Sequence, residues 1–172
     1  VATRFGIAYM ATPDKGVMRV ELSTSTIFGS WQSLGADDLD ATPVAVDGDV
    51  VYIGLYEFGI LVVDRITGDI TDLWNQDTNS LPDDDVLSLE MDDFGGLLVG
   101  SEGSFSRYDG STWTSLTTSG SWWNRPNVFY DVTSDGDGLY AGTNRGACKW
   151  NWQYQFQDCV SSGDGLESRF VY

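Results

Sequence analysis

The sequence contains no histidine in its 172 residues, and this absence removes several kinds of chemistry. Histidine is the commonest general base of enzymes and the commonest protein ligand of transition metals. Catalysis by a Ser-His-Asp or Cys-His arrangement within this chain is therefore excluded, and so are zinc sites built on imidazole.

Basic residues are also scarce. The chain has 9 Lys and Arg residues against 26 Asp and Glu, which gives a formal net charge of −17 at pH 7, and its lysines are Lys15 and Lys149 alone. Such a charge repels phosphate backbones and anionic lipids, so nucleic acid and membrane surfaces are poor partners. The same balance fits a protein from a saline setting and, equally, a chain whose turns are rich in aspartate.

Long apolar runs are missing as well. None approaches the roughly 20 residues that a membrane-spanning helix needs, and the first ten residues, VATRFGIAYM, lack the basic and long apolar regions of a signal peptide. These residues predict a strand from the first position, so we expect that a leader was removed or that the chain is an excerpt. Twenty glycines and 41% hydrophobic residues indicate a folded domain of many short strands.

A repeat of about 43 residues runs through the chain, which divides into repeats 1–43, 44–86, 87–129 and 130–172. An apolar triplet closed by a small residue (AYMA, VYIG, LLVG, LYAG) precedes one particular glycine of each repeat, and an aromatic residue lies farther on. The glycines are Gly16, Gly59, Gly103 and Gly146. The aromatic residues are Trp31, Trp74, Trp113 and Phe156. Coincidence of all these features in four places indicates a true repeat.

Each repeat predicts four short antiparallel strands. In the third repeat they are VLSLEM, GLLVG, SFSRYD and TWTSL, separated by turns rich in Asp, Gly and Ser. One such sheet cannot bury both of its faces, whereas sheets stacked radially can. The sequence therefore predicts an all-β fold, a β-propeller of four-stranded antiparallel blades, present as a single domain 1–172 or as an excerpt of a larger one.

The last two repeats resemble the two-component regulator propeller repeat, and the first resembles it weakly. The segment NSLPDDDVLSLEMDDFGGLLVGSEGSFSRYDGSTW matches that repeat at Leu81, Pro82, Val86, Asp92, Gly96, Gly100, Gly103, Tyr108 and Asp109. The fourth repeat matches it at Asp135, Gly138, Gly142, Thr143, Gly146 and Trp150. The resemblance implies a propeller in an extracytoplasmic sensor region or surface protein, and it implies no shared catalytic residues.

The two ends of the sequence fall at the same point of the repeat. The final DGLESRFVY matches the beginning of a new repeat, while Val1-Ala2-Thr3 aligns with residues 44–46, so one strand of the first blade is divided between the termini. The termini could meet and close a four-bladed ring, the chain could be cut from a longer array, or terminal edge strands could join copies head to tail. We favour the excerpt, because natural propellers that close their ring with both termini usually contribute whole strands and do not divide one strand between the termini.

Two cysteines, Cys148 and Cys159, are predicted to face each other on the third and fourth strands of the last repeat. Facing positions of an antiparallel pair lie close to disulfide distance. An even cysteine count, in a family that is not cytosolic, favours a disulfide over two free thiols.

Aspartates cluster at 37–40, 83–85, 92–93 and 135–137. The segment SDGDG makes Asp135 and Asp137 weak calcium candidates, although the rest of an EF-hand loop is missing. Aspartate also caps turns of this kind. We favour turn capping and expect no cofactor, with calcium as the alternative.

Five side chains are predicted to gather at one mouth of the propeller tunnel, because the loops that carry them emerge on one face. They are Tyr56, Trp122, Trp123, Arg125 and Arg145. Exposed aromatic rings beside a guanidinium group can stack on sugar rings or hold a peptide. The alternative, which we favour for the two tryptophans, is packing between blades.

The expected function is that of a non-catalytic scaffold for binding or assembly, extracellular or periplasmic and at the cell surface, as a surface or filament subunit or as a sensor ectodomain. Expected partners are a protein, a second copy bound through terminal edge strands, or carbohydrate, with no nucleic acid and no membrane insertion. The alternative is a lyase or hydrolase, since propellers with similar repeats include a streptogramin-cleaving lyase. Paired carboxylates such as Asp83 and Glu102 would then act without histidine.

Overall fold

Four antiparallel sheets, each made of four strands, build the computed structural model of the protein. The structure describes residues 1–12, 16–31, 41–116, 126–166 and 171, with only the backbone for residues 28, 30, 31, 41 and 42. One short 3-10 helix, Ser162–Asp164, accompanies the strands in this part of the chain. The all-β, propeller-like fold predicted from the repeat is confirmed.

The strands are assigned to four blades in chain order. Blade 1 consists of β1 (Ala2–Arg4), β2 (Ile7–Thr12), β3 (Gly16–Glu21) and β4 (Thr26–Trp31). Blade 2 consists of β5 (Ala41–Asp47), β6 (Val50–Leu55), β7 (Gly59–Asp64) and β8 (Ile70–Trp74). Blade 3 consists of β9 (Val86–Met91), β10 (Leu97–Ser101), β11 (Phe105–Tyr108) and β12 (Trp113–Leu116). Blade 4 consists of β13 (Phe129–Asp135), β14 (Gly138–Thr143), β15 (Gly146–Trp150) and β16 (Phe156–Val160).

Every blade is a simple meander, because the order of strands in each sheet follows the order in the sequence. The pairing of the third strand with the fourth contains a register shift in three blades, between Arg19 and Val20, between Val62 and Val63, and between Lys149 and Trp150. These shifts fall at equivalent places of repeats 1, 2 and 4, so the 43-residue period extends to an irregularity of the backbone. Such bulges increase the local twist of a strand.

The chain divides into two compact units, Val1–Val86 and Leu87–Tyr172. The core of the first unit combines residues of blades 1 and 2. Tyr9 and Val17 of blade 1 lie in one cluster with Val51, Ile53 and Val63 of blade 2, and all five side chains are buried. The core therefore forms where two blades bury their facing surfaces together.

The core of the second unit is built around aromatic rings from blades 3 and 4. The ring of Trp150 lies 5.1 Å from that of Phe105 and 6.4 Å from that of Phe129, measured between centroids. Phe105 and Trp150 are fully buried. Burying a side chain of this size contributes about 1.5 to 3 kcal/mol, and edge-to-face contacts add to that figure.

Steric crowding explains why glycine closes the apolar triplet of a repeat. A Cβ atom on Gly54 would lie 2.4 Å from Pro43 Cγ and 2.6 Å from Val86 Cγ1, and one on Gly100 would lie 2.6 Å from the carbonyl oxygen of Phe129. Real Cβ atoms do not approach other atoms so closely. The second strand of a blade therefore lacks a side chain where its own first strand and an adjoining blade pack closely against it.

The predicted disulfide is present. Cys148 of β15 and Cys159 of β16 are register partners, their Cα atoms lie 4.0 Å apart, and their sulfur atoms are bonded. The bond links strand β16, which has one neighbour in the sheet order, to the buried strand β15. It closes a short loop of the chain, and this restricts the unfolded state more than the folded one.

Aspartate side chains organise several hairpin turns. Asp109 Oδ1 accepts hydrogen bonds from the backbone N–H groups of Ser111 and Thr112, both at 2.8 Å. These bonds, led by the one from Thr112, hold the pKa of Asp109 well below its ordinary value. Asp64 Oδ1 likewise accepts from the N–H groups of Ile66 and Thr67 at 2.8 Å. Turn capping thus accounts for these aspartates.

Among the described residues, no helix has both the length and the apolar composition that a membrane-spanning segment requires.

Loss of the disulfide is expected to lower the free energy of unfolding by about 2 to 3 kcal/mol, the amount typical of a bond that closes a short loop. Urea unfolding with and without dithiothreitol measures this difference. The double variant Cys148→Ala/Cys159→Ala is the control, since its unfolding curve should not respond to the reductant. Identical curves for the oxidised and reduced wild type would contradict the expectation.

Replacement of Asp109 by asparagine is expected to destabilise the protein at neutral pH but not at low pH. The folded-state pKa of Asp109 is lowered, so its contribution is complete above the unfolded-state value of about 4 and is lost as the pH falls through the folded-state value. Urea unfolding of wild type and Asp109→Asn at constant ionic strength tests this. A stability difference that stays constant from pH 7 to pH 2 would contradict it.

Candidate functional site

An exposed aromatic surface lies in the second unit, and we call it the Phe94 surface after its most exposed member. It consists of Phe94, in the turn between β9 and β10, with Trp152 and Tyr154, in the turn between β15 and β16. The side chain of Phe94 is 71% exposed. The rings of Phe94 and Trp152 lie 4.7 Å apart between centroids, and their planes are perpendicular.

The turn that carries Phe94 is held by the carboxylate of Asp92. Asp92 Oδ1 accepts hydrogen bonds from the backbone N–H groups of Phe94 and Gly96, both at 2.8 Å. Gly95 has a φ of +79°, a left-handed conformation that favours glycine. Phe94 therefore projects from a backbone with a defined conformation, and its exposure follows from this turn.

A buried ion pair lies beneath the turn. Asp92 Oδ2 accepts a hydrogen bond from Arg107 Nε at 2.5 Å, and both residues are buried, at 6% and 9% exposure. Burial lowers the pKa of Arg107, but the hydrogen bond and the negative charge of Asp92 outweigh this effect, so its pKa lies above the ordinary value. Arg107 is thus charged at every physiological pH. A buried pair of this kind is sensitive to loss of either partner.

The guanidinium group of Arg107 also reaches the aromatic surface, because Arg107 Nη1 donates to Tyr154 Oη at 3.3 Å. Tyr154 has a φ of +61°, which is uncommon for a residue with a side chain. Its turn is held by Asn151, whose Oδ1 accepts from the N–H groups of Gln153 and Gln155 at 3.1 and 2.9 Å. The strained backbone of Tyr154 is therefore stabilised by local hydrogen bonds and by Arg107.

Trp152 is held by a bond of its own. Its indole Nε1 donates to the backbone carbonyl oxygen of Asp135, in the turn between β13 and β14, at 3.1 Å. Three turns from two blades thus fix the surface. Phenylalanine and indole rings cannot transfer protons at physiological pH, and Arg107 stays protonated, so Phe94, Trp152 and Arg107 are suited to noncovalent recognition.

The first unit has a related arrangement around Phe5, in the turn between β1 and β2. Phe5 is 68% exposed. The guanidinium carbons of Arg65 and Arg4 lie 4.9 and 5.1 Å from the centroid of its ring. Arg65 Nη2 donates to Asp49 Oδ1 at 2.7 Å, and this bond raises the pKa of Arg65. These distances are those of cation–π contacts.

A surface pocket of about 410 Å³ adjoins Phe5. It is lined by Phe5, Gly6, Ile7, Glu21 and Ser23. The carboxylate of Glu21 accepts a hydrogen bond from Thr24 Oγ1 at 2.8 Å. The pocket therefore combines one aromatic ring with a carboxylate that is already engaged by its own turn.

Of the five side chains predicted at a tunnel mouth, two lie in the described part of the chain. Tyr56 lies in the turn between β6 and β7 of the first unit and is 38% exposed. Arg145 lies in the turn between β14 and β15 of the second unit and is half-buried. Trp122, Trp123 and Arg125 lie outside the described residues. The gathering of these five side chains stays a prediction.

The calcium candidates lie in the turn between β13 and β14. Asp135 Oδ1 accepts from the N–H groups of Asp137 and Gly138 at 2.7 and 3.0 Å, and the bond from Asp137 lowers the pKa of Asp135. Within residues 1–12, 16–31, 41–116, 126–166 and 171, no three His, Cys, Asp or Glu residues are grouped as metal ligands. Calcium binding stays a prediction. So does the pairing of Asp83 with Glu102, which lie in different units.

The Phe94 surface was not predicted from the sequence, although a signal for it was present. Both Phe5 and Phe94 precede a glycine in the first turn of a blade, and a large apolar residue is unusual at such a turn. Exposed aromatic residues that lie next to one another, as Phe94 and Trp152 do, are better explained by binding than by folding. The pattern could therefore have been found by comparing the turns of the repeats with one another.

Comparison with known proteins gives similarity of fold alone. No protein-family model and no curated protein matches the chain. Among solved structures, the extracellular domain of BT4673 from B. thetaiotaomicron, described as a hybrid two component system, is similar with a TM-score of 0.70 at 15% identity, over 89% of this chain and 20% of that chain. The extracellular domain of BT3049 from the same organism, described in the same way, has a TM-score of 0.70 at 13% identity, over 96% and 22%.

The computationally designed Ika4 protein is similar over most of both chains. Its TM-score is 0.61 at 13% identity, over 87% of this chain and 88% of that chain. In contrast, the present chain spans about a fifth of the length of the two extracellular domains. The two natural proteins among these three are described as extracellular domains of two component systems.

Replacement of Arg107 by leucine is expected to lower the free energy of unfolding by about 3 to 5 kcal/mol, because Asp92 would be left charged and buried without its partner. The double variant Asp92→Asn/Arg107→Leu should recover much of this loss, since asparagine can still accept from the N–H groups of Phe94 and Gly96. Urea unfolding of the four proteins of this double-mutant cycle measures both effects.

The matched control for this cycle is Asp49→Asn, which breaks an exposed ion pair with Arg65 in the first unit. It is expected to cost less than about 1 kcal/mol. A loss for Arg107→Leu as small as that of the control would show that the Asp92–Arg107 pair does not hold the turn.

Proposed function

We propose that the chain is a non-catalytic binding domain, extracellular or periplasmic, which recognises its ligand at the Phe94 surface. The observation that carries this proposal is the exposure of Phe94, which is 71%, on a turn fixed from below by a buried ion pair. Exposing a large apolar ring costs stability, and fixing it in one place costs conformational entropy. Binding explains both features.

The similarity to extracellular domains of two component systems supports this role and this location. A disulfide between Cys148 and Cys159 fits an oxidising compartment. Together with the repeat pattern, these observations support membership of the two-component regulator propeller family. In that role the domain would sense a ligand outside the cytoplasm and would belong to a larger receptor.

Assembly through strand edges is a second candidate, and it rests on the outer strand of blade 1. Strand β4 has the sequence TIFGSW without a charged residue, and its Ile27 is 58% exposed. An uncharged edge strand with an exposed apolar side chain is suited to pairing with another strand. In this role a second copy of the chain would extend the sheet.

Replacement of Phe94 by alanine is expected to abolish ligand binding while leaving the fold intact, because the ring contributes binding area and little burial in the core. Binding of the labelled 172-residue chain to arrays of glycans and of peptides measures this. Circular dichroism checks that the variant is folded. Phe5→Ala, at the related turn of the first unit, is the matched control and should retain the binding pattern of the wild type.

Two results would contradict the proposed function. One is an absence of any saturable ligand on the arrays. The other is a set of ligands that Phe94→Ala binds as well as the wild type does. Concentration-dependent dimers that persist in Phe94→Ala and disappear in Ile27→Lys would favour the assembly role.

A further inference from the structure

The two units contain related turns with different chemistry. Phe5-Gly6 and Phe94-Gly95 both lie between the first and second strands of a blade. In the partner blade of the same unit, Val63-Asp64-Arg65 and Trp150-Asn151-Trp152 both end the third strand, so Arg65 and Trp152 occupy equivalent positions of the repeat. Each unit therefore pairs an exposed phenylalanine with the same position of the neighbouring blade.

In the first unit this position supplies a cation. The guanidinium of Arg65 lies 4.9 Å from the ring centroid of Phe5, and that of Arg4, which precedes Phe5, lies at 5.1 Å. The face of an aromatic ring attracts cations through its quadrupole, and arginine is the residue most often found there. The first unit thus shows what the ring at this turn accepts.

In the second unit both cations are replaced. Asp93 precedes Phe94 where Arg4 precedes Phe5, and Trp152 stands in place of Arg65. Trp152 contacts Phe94 edge to face, with ring centroids 4.7 Å apart. Within the part of the chain that the structure describes, no Lys or Arg makes a cation–π contact with Phe94. The ring is therefore open to a cation from outside.

The charges around the Phe94 surface favour such a cation. Asp93, Asp135 and Asp137 are exposed in the two turns that carry or hold the surface. Arg107, which lies beneath it, is neutralised by Asp92 at 2.5 Å. The ammonium group of Lys149 lies 5.1 Å from the ring of Tyr140 and also attracts Asp135 and Asp137, so the negative charge next to Phe94 comes chiefly from Asp93. With a net charge of −17, the whole chain attracts basic partners.

We propose that the Phe94 surface binds an arginine side chain of a basic protein partner, with the guanidinium group on the ring of Phe94 in the manner of Arg65 on Phe5. Arginine fits better than lysine, because its planar guanidinium stacks on aromatic rings and is more weakly hydrated. Asp93 adds a negative charge at the edge of the site. This inference rests on the proposed function and names the chemistry of its ligand.

The test is a titration of the 172-residue chain with Nα-acetyl-arginine N-methylamide, followed by NMR. The corresponding citrulline amide is the control probe, because citrulline has nearly the same shape as arginine and no charge. The arginine probe should shift the ring signals of Phe94 and the indole signal of Trp152 in a saturable way. The citrulline probe should bind at least severalfold more weakly.

Three variants locate the site. Phe94→Leu keeps an apolar side chain without a ring and should weaken binding of the arginine probe about two- to fivefold, the change expected for an exposed cation–π contact. Trp152→Arg reproduces the first unit, and its own guanidinium should compete with the probe and abolish the saturable shift at Phe94. Phe5→Leu is the matched control and should leave the shifts at Phe94 and Trp152 unchanged.

Equal affinity for the citrulline and arginine probes, or an affinity unchanged in Phe94→Leu, would overturn the inference. The array experiment separates this failure from failure of the proposed function. Neutral glycans or peptides that bind the wild type but not Phe94→Ala would leave the binding role standing and would overturn arginine recognition. If Phe94→Ala changes neither the arrays nor the titration, both proposals fail.

Discussion

A four-stranded sheet of this size has two faces and too few residues to cover either of them by itself. Each core cluster of the protein therefore draws on two blades, with Tyr9 and Val17 meeting side chains of blade 2 in the first unit, and Phe105 meeting Trp150 of blade 4 in the second. The same requirement explains the glycines of the repeat. Gly54 leaves room for the side chains of Pro43 and Val86, and Gly100 leaves room for the backbone of Phe129 in the adjoining blade.

The repeat made most of this fold predictable. Strand positions followed from the spacing of the triplets, and Cys148 and Cys159 faced each other as the hairpin register required. Those features depend on local sequence and on the regular backbone geometry of hairpins, so they can be predicted from one sequence. The register shift at Val62 and Val63 was not predictable, because a bulge reflects the twist that neighbouring strands impose.

The candidate site was less accessible to sequence reasoning, and for a physical reason. Phe94 and Trp152 are 58 positions apart in the sequence and come together because turns of two blades meet. The ion pair of Asp92 and Arg107 joins a turn to a strand in the same way. Asp92 matched a repeat motif and was interpreted as a turn residue, and it does lie in a turn. Its second role, as the partner of a buried guanidinium group, depends on a strand fifteen residues away.

The position of the disulfide has a consequence for the aromatic surface. The covalent loop between Cys148 and Cys159 encloses the turn that presents Trp152 and Tyr154. The crosslink thus tethers the hairpin that displays these two rings as well as the outer strand of the sheet. Formation of the disulfide therefore restricts this hairpin, so a freshly synthesised, still reduced chain would carry Trp152 and Tyr154 on a looser hairpin than the oxidised protein does.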